Sequence, residues 1–227
     1  ALITSALFAT QPLIWGHGFI NPKDIPFMAF FTASVFFGLR MLDDFANQNF
    51  ELRALLKTPS FFLAAAFLGI TISIRILGFA AAGIVLGYFA FINLHKVLRL
   101  SYVYFGFALL VSFLTWPFLW PSPVTNFIQA IYAMLKFQWV GQTLFNGKYY
   151  PTNQLPPRYV PQLLLMQLTE SAMLLFFIGT VVILLPHLRP KYKGVGILFL
   201  FWFAVPVLYI LFSGMSLYDN TRQLFFI

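Results

Sequence analysis

Residues 60–94 read SFFLAAAFLGITISIRILGFAAAGIVLGYFAFINL, thirty-five positions with a single charge, Arg75. A bilayer's hydrocarbon core is crossed by roughly 20 apolar residues in a helix, with a tolerance of about 17 to 25. The stretch is too long for one crossing, and its one cation falls between two apolar halves. It reads as two spans, Ser60–Ile74 and Ile76–Leu94, that form either a tight hairpin at Arg75 or one long broken segment.

The same pattern continues on both sides. Apolar runs cover Ala1–Trp15, Pro26–Leu42, Ser101–Leu119, about Thr169–Leu185 and Gly194–Phe212, and another opens near Leu224. That predicts one transmembrane domain over 1–227, with about six full and two partial spans. Composition agrees: 60% hydrophobic, 9% charged and 30 phenylalanines, with mean hydropathy +0.84. A soluble domain carries roughly 25% charged residues. The expected fold class is therefore all-α, a polytopic transmembrane helical bundle. The chain begins at Ala1 rather than Met and stops within the apolar Leu224-Phe225-Phe226-Ile227. It shows no signal-peptide pattern and reads as an internal piece of a larger protein.

The net charge of +8 is read as the basic bias of cytoplasmic loops and not as a nucleic-acid footprint. Nucleic acid is not an expected partner, because no soluble domain carries a basic patch. With no cysteine, disulfides and thiolate metal sites are excluded. The alternating segments 43–59, 95–100 and 186–193, with Arg40, hold Arg53, Lys57, Lys96, Arg99, Arg189, Lys191 and Lys193, eight of the fourteen basic residues. This places 16–25, the Arg75 turn, 120–160 and 213–223 on the extracytoplasmic side of an inner-membrane-type or ER-type bilayer. Phe127–Val140 has apolar residues at near-helical spacing and predicts an amphipathic helix on the membrane surface. Trp116, Trp120 and Trp139 are placed at headgroup level. Gly147–Tyr159 is turn-rich, with Pro151, Pro156 and Pro157.

Polar residues on that outer side are the candidates for chemistry. His17, Asn21, Lys23 and Asp24 fall in WGHGFINPKDIP, residues 15–26, which reads as a tight loop with two Gly and two Pro. Asp24 suits an N-cap for the following span, with Pro26 near its first turn. It also suits a contact to a metal, a sugar hydroxyl or an acceptor hydroxyl. Arg75 reads either as a snorkelling interfacial cation or as a guanidinium that pairs a phosphate. Arg158 and Tyr159 read as an interfacial anchor or as a phosphate or sugar contact, with Tyr149, Tyr150 and Tyr159 as stacking faces. Asp219 and Arg222, three apart, read as a helical-turn pair. Glu170 suits the N-terminal dipole position of a helix. Asp43, Asp44 and Glu51 read as a solvated face, and His95 and His187 as interfacial. No HExxH, P-loop or GxSxG pattern is present.

Four stretches together, GHGFINPKDIPF, LGITISIRILGF, YYPTNQLPPRYVPQLLLMQLTE and LYDNTRQLFF, resemble membrane glycosyltransferases of the GT-C type. The likeness is to the family 39-like branch of protein mannosyltransferases, aminoarabinose transferases and Rgt-like enzymes. The resemblance covers most of the chain. It implies a GT-C-like helical bundle whose active site faces away from the cytoplasm. A polyprenyl-phosphate-linked sugar would be the donor, and a lipid, glycan or protein the acceptor. In the family an acidic residue in the first outer loop acts as base, and a second acidic residue lies in the next outer loop. Asp24 matches the second, and the first is expected N-terminal to Ala1. Arg75 and Arg158 match donor-phosphate contacts. No cofactor is required, and a divalent metal is left open. The rival readings are a secondary transporter, which would place ionisable residues near the midplane and show repeated halves, and a non-catalytic lipid-binding membrane subunit.

Overall fold

The computed structural model describes residues 2–136, 141–185, 193–213 and 224–226, with only the backbone at Ile92, Lys193 and Ser213. In chain order the helices are α1 (Leu2–Ala9), α2 (Pro12–Ile20), α3 (Asp24–Asn47), α4 (Leu52–Leu55), α5 (Pro59–Ile74), α6 (Phe79–Thr115) and α7 (Pro123–Leu135). Strands β1 (Gln142–Phe145) and β2 (Lys148–Pro151) follow, then α8 (Tyr159–Gln167), α9 (Glu170–Leu184) and α10 (Lys193–Ser213). Asp24–Asn47, Asn93–Thr115 and Gly194–Phe212 are long and apolar enough to cross a membrane. The pair α8 and α9, bent by 116°, adds a fourth crossing if it is one broken span. The helical class is thus as expected, while among the described residues three or four helices have membrane-spanning length where about six full spans were expected. Two compact units divide the chain: residues 1–25 with 138–225 and 227, and residues 26–137 with Phe226.

In the second unit α3 and α5 lie antiparallel. Arg75 at the end of α5 sits over Phe27 near the start of α3, Phe37 stacks on Phe67 at 5.1 Å, and Ser60 at the start of α5 donates to Asp44 near the end of α3. The Arg75 junction is a hairpin. Arg75 leaves the helix with φ −150° and ψ 136°, and a 3-10 turn, Ile76–Gly78, brings the chain back. A Cβ on Gly78 would lie 2.7 Å from the Ile72 nitrogen and 2.8 Å from the Thr71 carbonyl carbon. Only glycine lets the returning chain come that close.

Sequence reading puts a loop at 95–100, whereas the structure keeps these residues helical and turns the chain at Asn93. That residue has φ −154° and ψ 86° inside α6. Before it, Val85 meets Gly38 and Phe89 meets Phe45, so this half runs with α3. After it, Phe107 meets Phe61 and Thr115 donates to Ser73 at 3.1 Å, so this half runs with α5. The two halves are therefore opposite in sense. HKVLRL, residues 95–100, contains no Gly or Pro and four good helix formers, so the helix resumes at once. Asparagine tolerates the break, because its side chain competes for backbone partners.

The second half of α6 packs tightly on α5. Its buried stripe is Leu100, Tyr104, Ala108 and Ser112, one residue per turn. Opposite lies Ala65-x-x-x-Gly69, a small-residue pair that lets membrane helices approach. The segments 43–59 and 95–100 share one end of this unit, since Lys96 lies over the Phe50 ring. The Arg75 turn shares the other end with Thr115.

The end of α3 is built by a pair of crossed hydrogen bonds. Phe50 N–H donates to Phe45 C=O at 2.8 Å and Asn49 N–H to Ala46 C=O at 3.1 Å. This is the Schellman arrangement, including its hydrophobic contact, here Phe45 against Phe50 at 5.4 Å. Asn49 and Phe50 have φ of 52° and 61°, a region that costs an L-residue roughly 1–2 kcal/mol. The ring contacts of Phe50 offset that strain.

Helix α7 starts at Pro123, four residues before the expected Phe127, with Pro123 in the first turn. Phe127 packs on Phe79 at 6.0 Å, while Val124, Ile128, Tyr132 and Leu135 are exposed. It is amphipathic as expected. Residues 137–140, with Trp139, lie outside the described residues.

In the first unit two expectations are corrected. Ala1–Trp15 is not one helix: it breaks at Thr10-Gln11, and Pro12 opens α2. Gly16, His17 and Gly18 are helical residues of α2 and not loop residues. Each glycine costs about 1 kcal/mol in a helix, and the surrounding Leu13, Ile14, Trp15, Phe19 and Ile20 keep the run helical. The stretch before Tyr159 holds a β-hairpin that sequence reading did not place. Thr143 pairs with Tyr150 and Leu144 with Tyr149. Asn146 and Gly147 form its tip with φ 49° and 75°, the two positive values that a type I′ turn needs. Phe145 meets Tyr159 edge-on at 5.1 Å, in a core shared with Val160, Leu224, Leu163 and Ile210. Gly147→Val should cost about 1–2 kcal/mol and loosen this hairpin. Limited proteolysis in detergent should then cut between Gln142 and Pro151 faster than in wild type; equal rates would contradict this.

Candidate functional site

The start of α3 is organised by Asn21. The Asn21 backbone N–H donates to His17 C=O at 2.8 Å, closing α2. Its Oδ1 accepts from the backbone N–H of Lys23 at 3.1 Å and of Asp24 at 2.8 Å, opening α3. Its Nδ2 donates to Asp24 Oδ2 at 2.6 Å. The sequence suggested Asp24 as the cap; the cap is Asn21, and Asp24 is the residue three further on. This is a variant of the reciprocal capping box, with an amide and a carboxylate in place of the usual pair. Asp24 is consequently only 3% exposed, with one carboxylate oxygen oriented by an amide. A carboxylate at a helix N-terminus is also favoured by the peptide dipoles.

The other candidates divide between the two units. His17 is half-buried on α2, edge-on to Phe225 at 4.9 Å, and its Nδ1 has no hydrogen-bond partner among the described residues. Lys23 is exposed. Arg75 is half-buried, its guanidinium carbon 5.6 Å from the centre of the Phe27 ring. That is a cation–π contact. Arg158 is exposed at the start of α8. Tyr159 is 1% exposed, against 69% for Tyr149. The stacking face expected at Tyr159 is therefore spent on the hairpin core, and Tyr149 is the tyrosine that presents its ring. Asp219 and Arg222 lie outside the described residues. Among the described residues no three His, Cys, Asp or Glu side chains gather around a point.

Comparison with protein-family models, curated proteins and solved structures finds no match. The site therefore has to be judged on its own chemistry.

Sequence reading missed Gln11. It sits in the break between α1 and α2, 6% exposed. Its Nε2 donates to Thr169 Oγ1 at 2.9 Å, and its Oε1 accepts the Thr169 N–H at 3.3 Å. Thr169 is the residue before α9, so one amide satisfies the break between α8 and α9. The signal was legible: a glutamine inside an apolar run needs a partner, because an unsatisfied amide in hydrocarbon costs several kcal/mol, roughly 2–7 by reference state. The amides of Asn146 and Gln162 form a second pair at 3.1 Å, which ties the hairpin tip to α8.

Proposed function

We propose that the chain is a GT-C-like membrane glycosyltransferase unit that moves a sugar from a polyprenyl-phosphate donor to a lipid, glycan or protein on the extracytoplasmic face. The observation that carries this reading is the buried, amide-oriented Asp24 carboxylate at the head of a membrane-length helix.

In this reading Asp24 accepts a proton from the acceptor hydroxyl. The acceptor oxygen forms its bond to the anomeric carbon as the bond from that carbon to the phosphate oxygen breaks. The polyprenyl phosphate leaves with the electron pair. Arg158 supplies charge for the departing phosphate, and Lys23 and His17 lie at the same helix junction as Asp24. The donor's prenyl chain stays in the bilayer, so no nucleotide pocket is needed.

A transporter is the second reading, favoured by the 116° break between α8 and α9. Broken helices in transporters expose backbone groups to substrate. Here the break is already satisfied by Gln11, which argues for a structural role. One preparation separates the two. The protein in liposomes is given polyprenyl-phosphate sugars and acceptor, and both sugar transfer and solute flux are followed. Transfer without flux supports the enzyme; flux without transfer sinks it.

A further inference from the structure

The corner at Asn93 carries features that sugar transfer does not use. Phe91, Leu94, Leu98 and Tyr102 recur at three- and four-residue spacing and are 93%, 66%, 66% and 80% exposed. His95 and Arg99, each one position after a stripe residue, are exposed beside them. The membrane-length helix begins at Asn93, so its first turns lie where hydrocarbon gives way to headgroups. Lys96 is held there: its Nζ lies 4.3 Å from the centre of the Phe50 ring, and Phe50 is itself fixed by the crossed hydrogen bonds at the end of α3. Arg53 and Lys57 are exposed on and just after α4, the short helix that follows Phe50. Three acids, Asp43, Asp44 and Glu51, share this end with the four cations Arg53, Lys57, Lys96 and Arg99, and Asp44 accepts from Ser60 at 2.5 Å.

We propose that this corner is a binding site for an anionic phospholipid. Its phosphodiester sits against Arg99 and Lys96, and an acyl chain lies along Leu94, Leu98 and Tyr102. The charge balance selects the occupant. A zwitterionic lipid brings its own ammonium group into a cationic site, whereas a phosphatidylglycerol-type headgroup brings only the negative charge. The guanidinium fork matches two phosphate oxygens, and the ammonium adds a point charge already in place. The inference is independent of sugar transfer.

The test is native mass spectrometry of the whole chain, released from micelles that contain equal phosphatidylglycerol and phosphatidylcholine. Wild type should retain phosphatidylglycerol about tenfold more, and Arg99→Gln should lower that preference about fivefold. Adding Lys96→Gln should bring it close to unity, while Lys136→Gln, at the other end of this unit, should leave it unchanged. Arg99 is exposed, so Arg99→Gln alone decides the matter if the double variant does not fold. Equal retention of both lipids by wild type, an undiminished preference in Arg99→Gln, or an equal loss in Lys136→Gln would each overturn the proposal. Retention of an acidic protein in place of lipid would do so too.

Discussion

Asp24→Asn is expected to lower sugar transfer by about 10²–10⁴-fold, the usual contribution of a positioned general base, while the protein keeps its helical fold. The substitution is nearly isosteric. Asparagine at position 24 still offers an oxygen to Asn21 Nδ2, and the backbone N–H of residue 24 still reaches Asn21 Oδ1, as in wild type. What is lost is the negative charge. Its interaction with the helix N-terminus is worth roughly 0.3–1 kcal/mol, too little to unfold a membrane protein. Asn21→Ala is the informative companion. It removes the cap at a cost of about 1 kcal/mol and takes away the amide that orients the carboxylate without deleting the carboxylate itself. Transfer should then fall less than in Asp24→Asn, and thermal stability should fall more. The measurement is initial rate with a polyprenyl-phosphate sugar, beside circular dichroism melting in detergent. If Asp24→Asn transfers sugar at the wild-type rate, the catalytic assignment is wrong, and the residue serves only the helix junction.

Gly69→Leu should destabilise the second unit by about 3 kcal/mol or more, at the upper end of overpacking effects. A Cβ at Gly69 would stand 2.5 Å from the Ala108 carbonyl oxygen and 2.6 Å from Val111 Cβ. The first is a backbone atom in the middle of a helix and has no rotamer to move into. Helices α5 and α6 would have to separate, exposing Leu68, Ile72 and Ala108, which are now fully buried. Gly106→Ala is the control on the same helix pair. A Cβ there meets nothing within 4 Å, so the higher helix propensity of alanine should be neutral or add about 1 kcal/mol. The thermal midpoint should therefore fall in Gly69→Leu and stay level or rise in Gly106→Ala. Equal shifts would mean that close approach at Gly69 does not hold the pair together.

How much of this was legible in the sequence depends on the kind of signal. Apolar run length is a coarse and robust quantity, and it located α3, α5, both halves of α6, α9 and α10. The hairpin at Arg75 was one of two readings left open, and Gly78 three residues later decides it, through a contact with α5 that no local pattern encodes. Turns made by one residue were harder. Asn93 sits among good helix formers, and only its contacts on each side reveal the change of direction. The hairpin could have been found. Asn146-Gly147 flanked by Thr143, Leu144, Phe145, Tyr149 and Tyr150 is a strong turn signal, masked by the prolines that follow it at 151, 156 and 157. In the candidate site, the position of Asp24 at the head of α3 was readable. The exchange of roles between Asn21 and Asp24 was not, since both are good caps, and only geometry says which one accepts the N–H bonds. The burial of Tyr159 depended on the unplaced hairpin.

The Gln11–Thr169 pair joins residues 158 positions apart, and the unit it belongs to is interrupted in sequence by the whole of 26–137. Ribosomes deliver chains from the N-terminus. α1 and α2 therefore emerge long before the partner that satisfies their break, whereas α3 to α7 find most of their contacts among neighbours already made, the packing of Phe226 on Phe27 and Phe31 excepted. Biogenesis should be ordered accordingly. Helices α5 and α6 can pack while the nascent chain is still growing, and the interrupted unit closes only after residue 169 has left the exit tunnel. Until then the Gln11 amide lacks its native partner, so this N-terminal pair is the segment most dependent on insertion machinery for shelter.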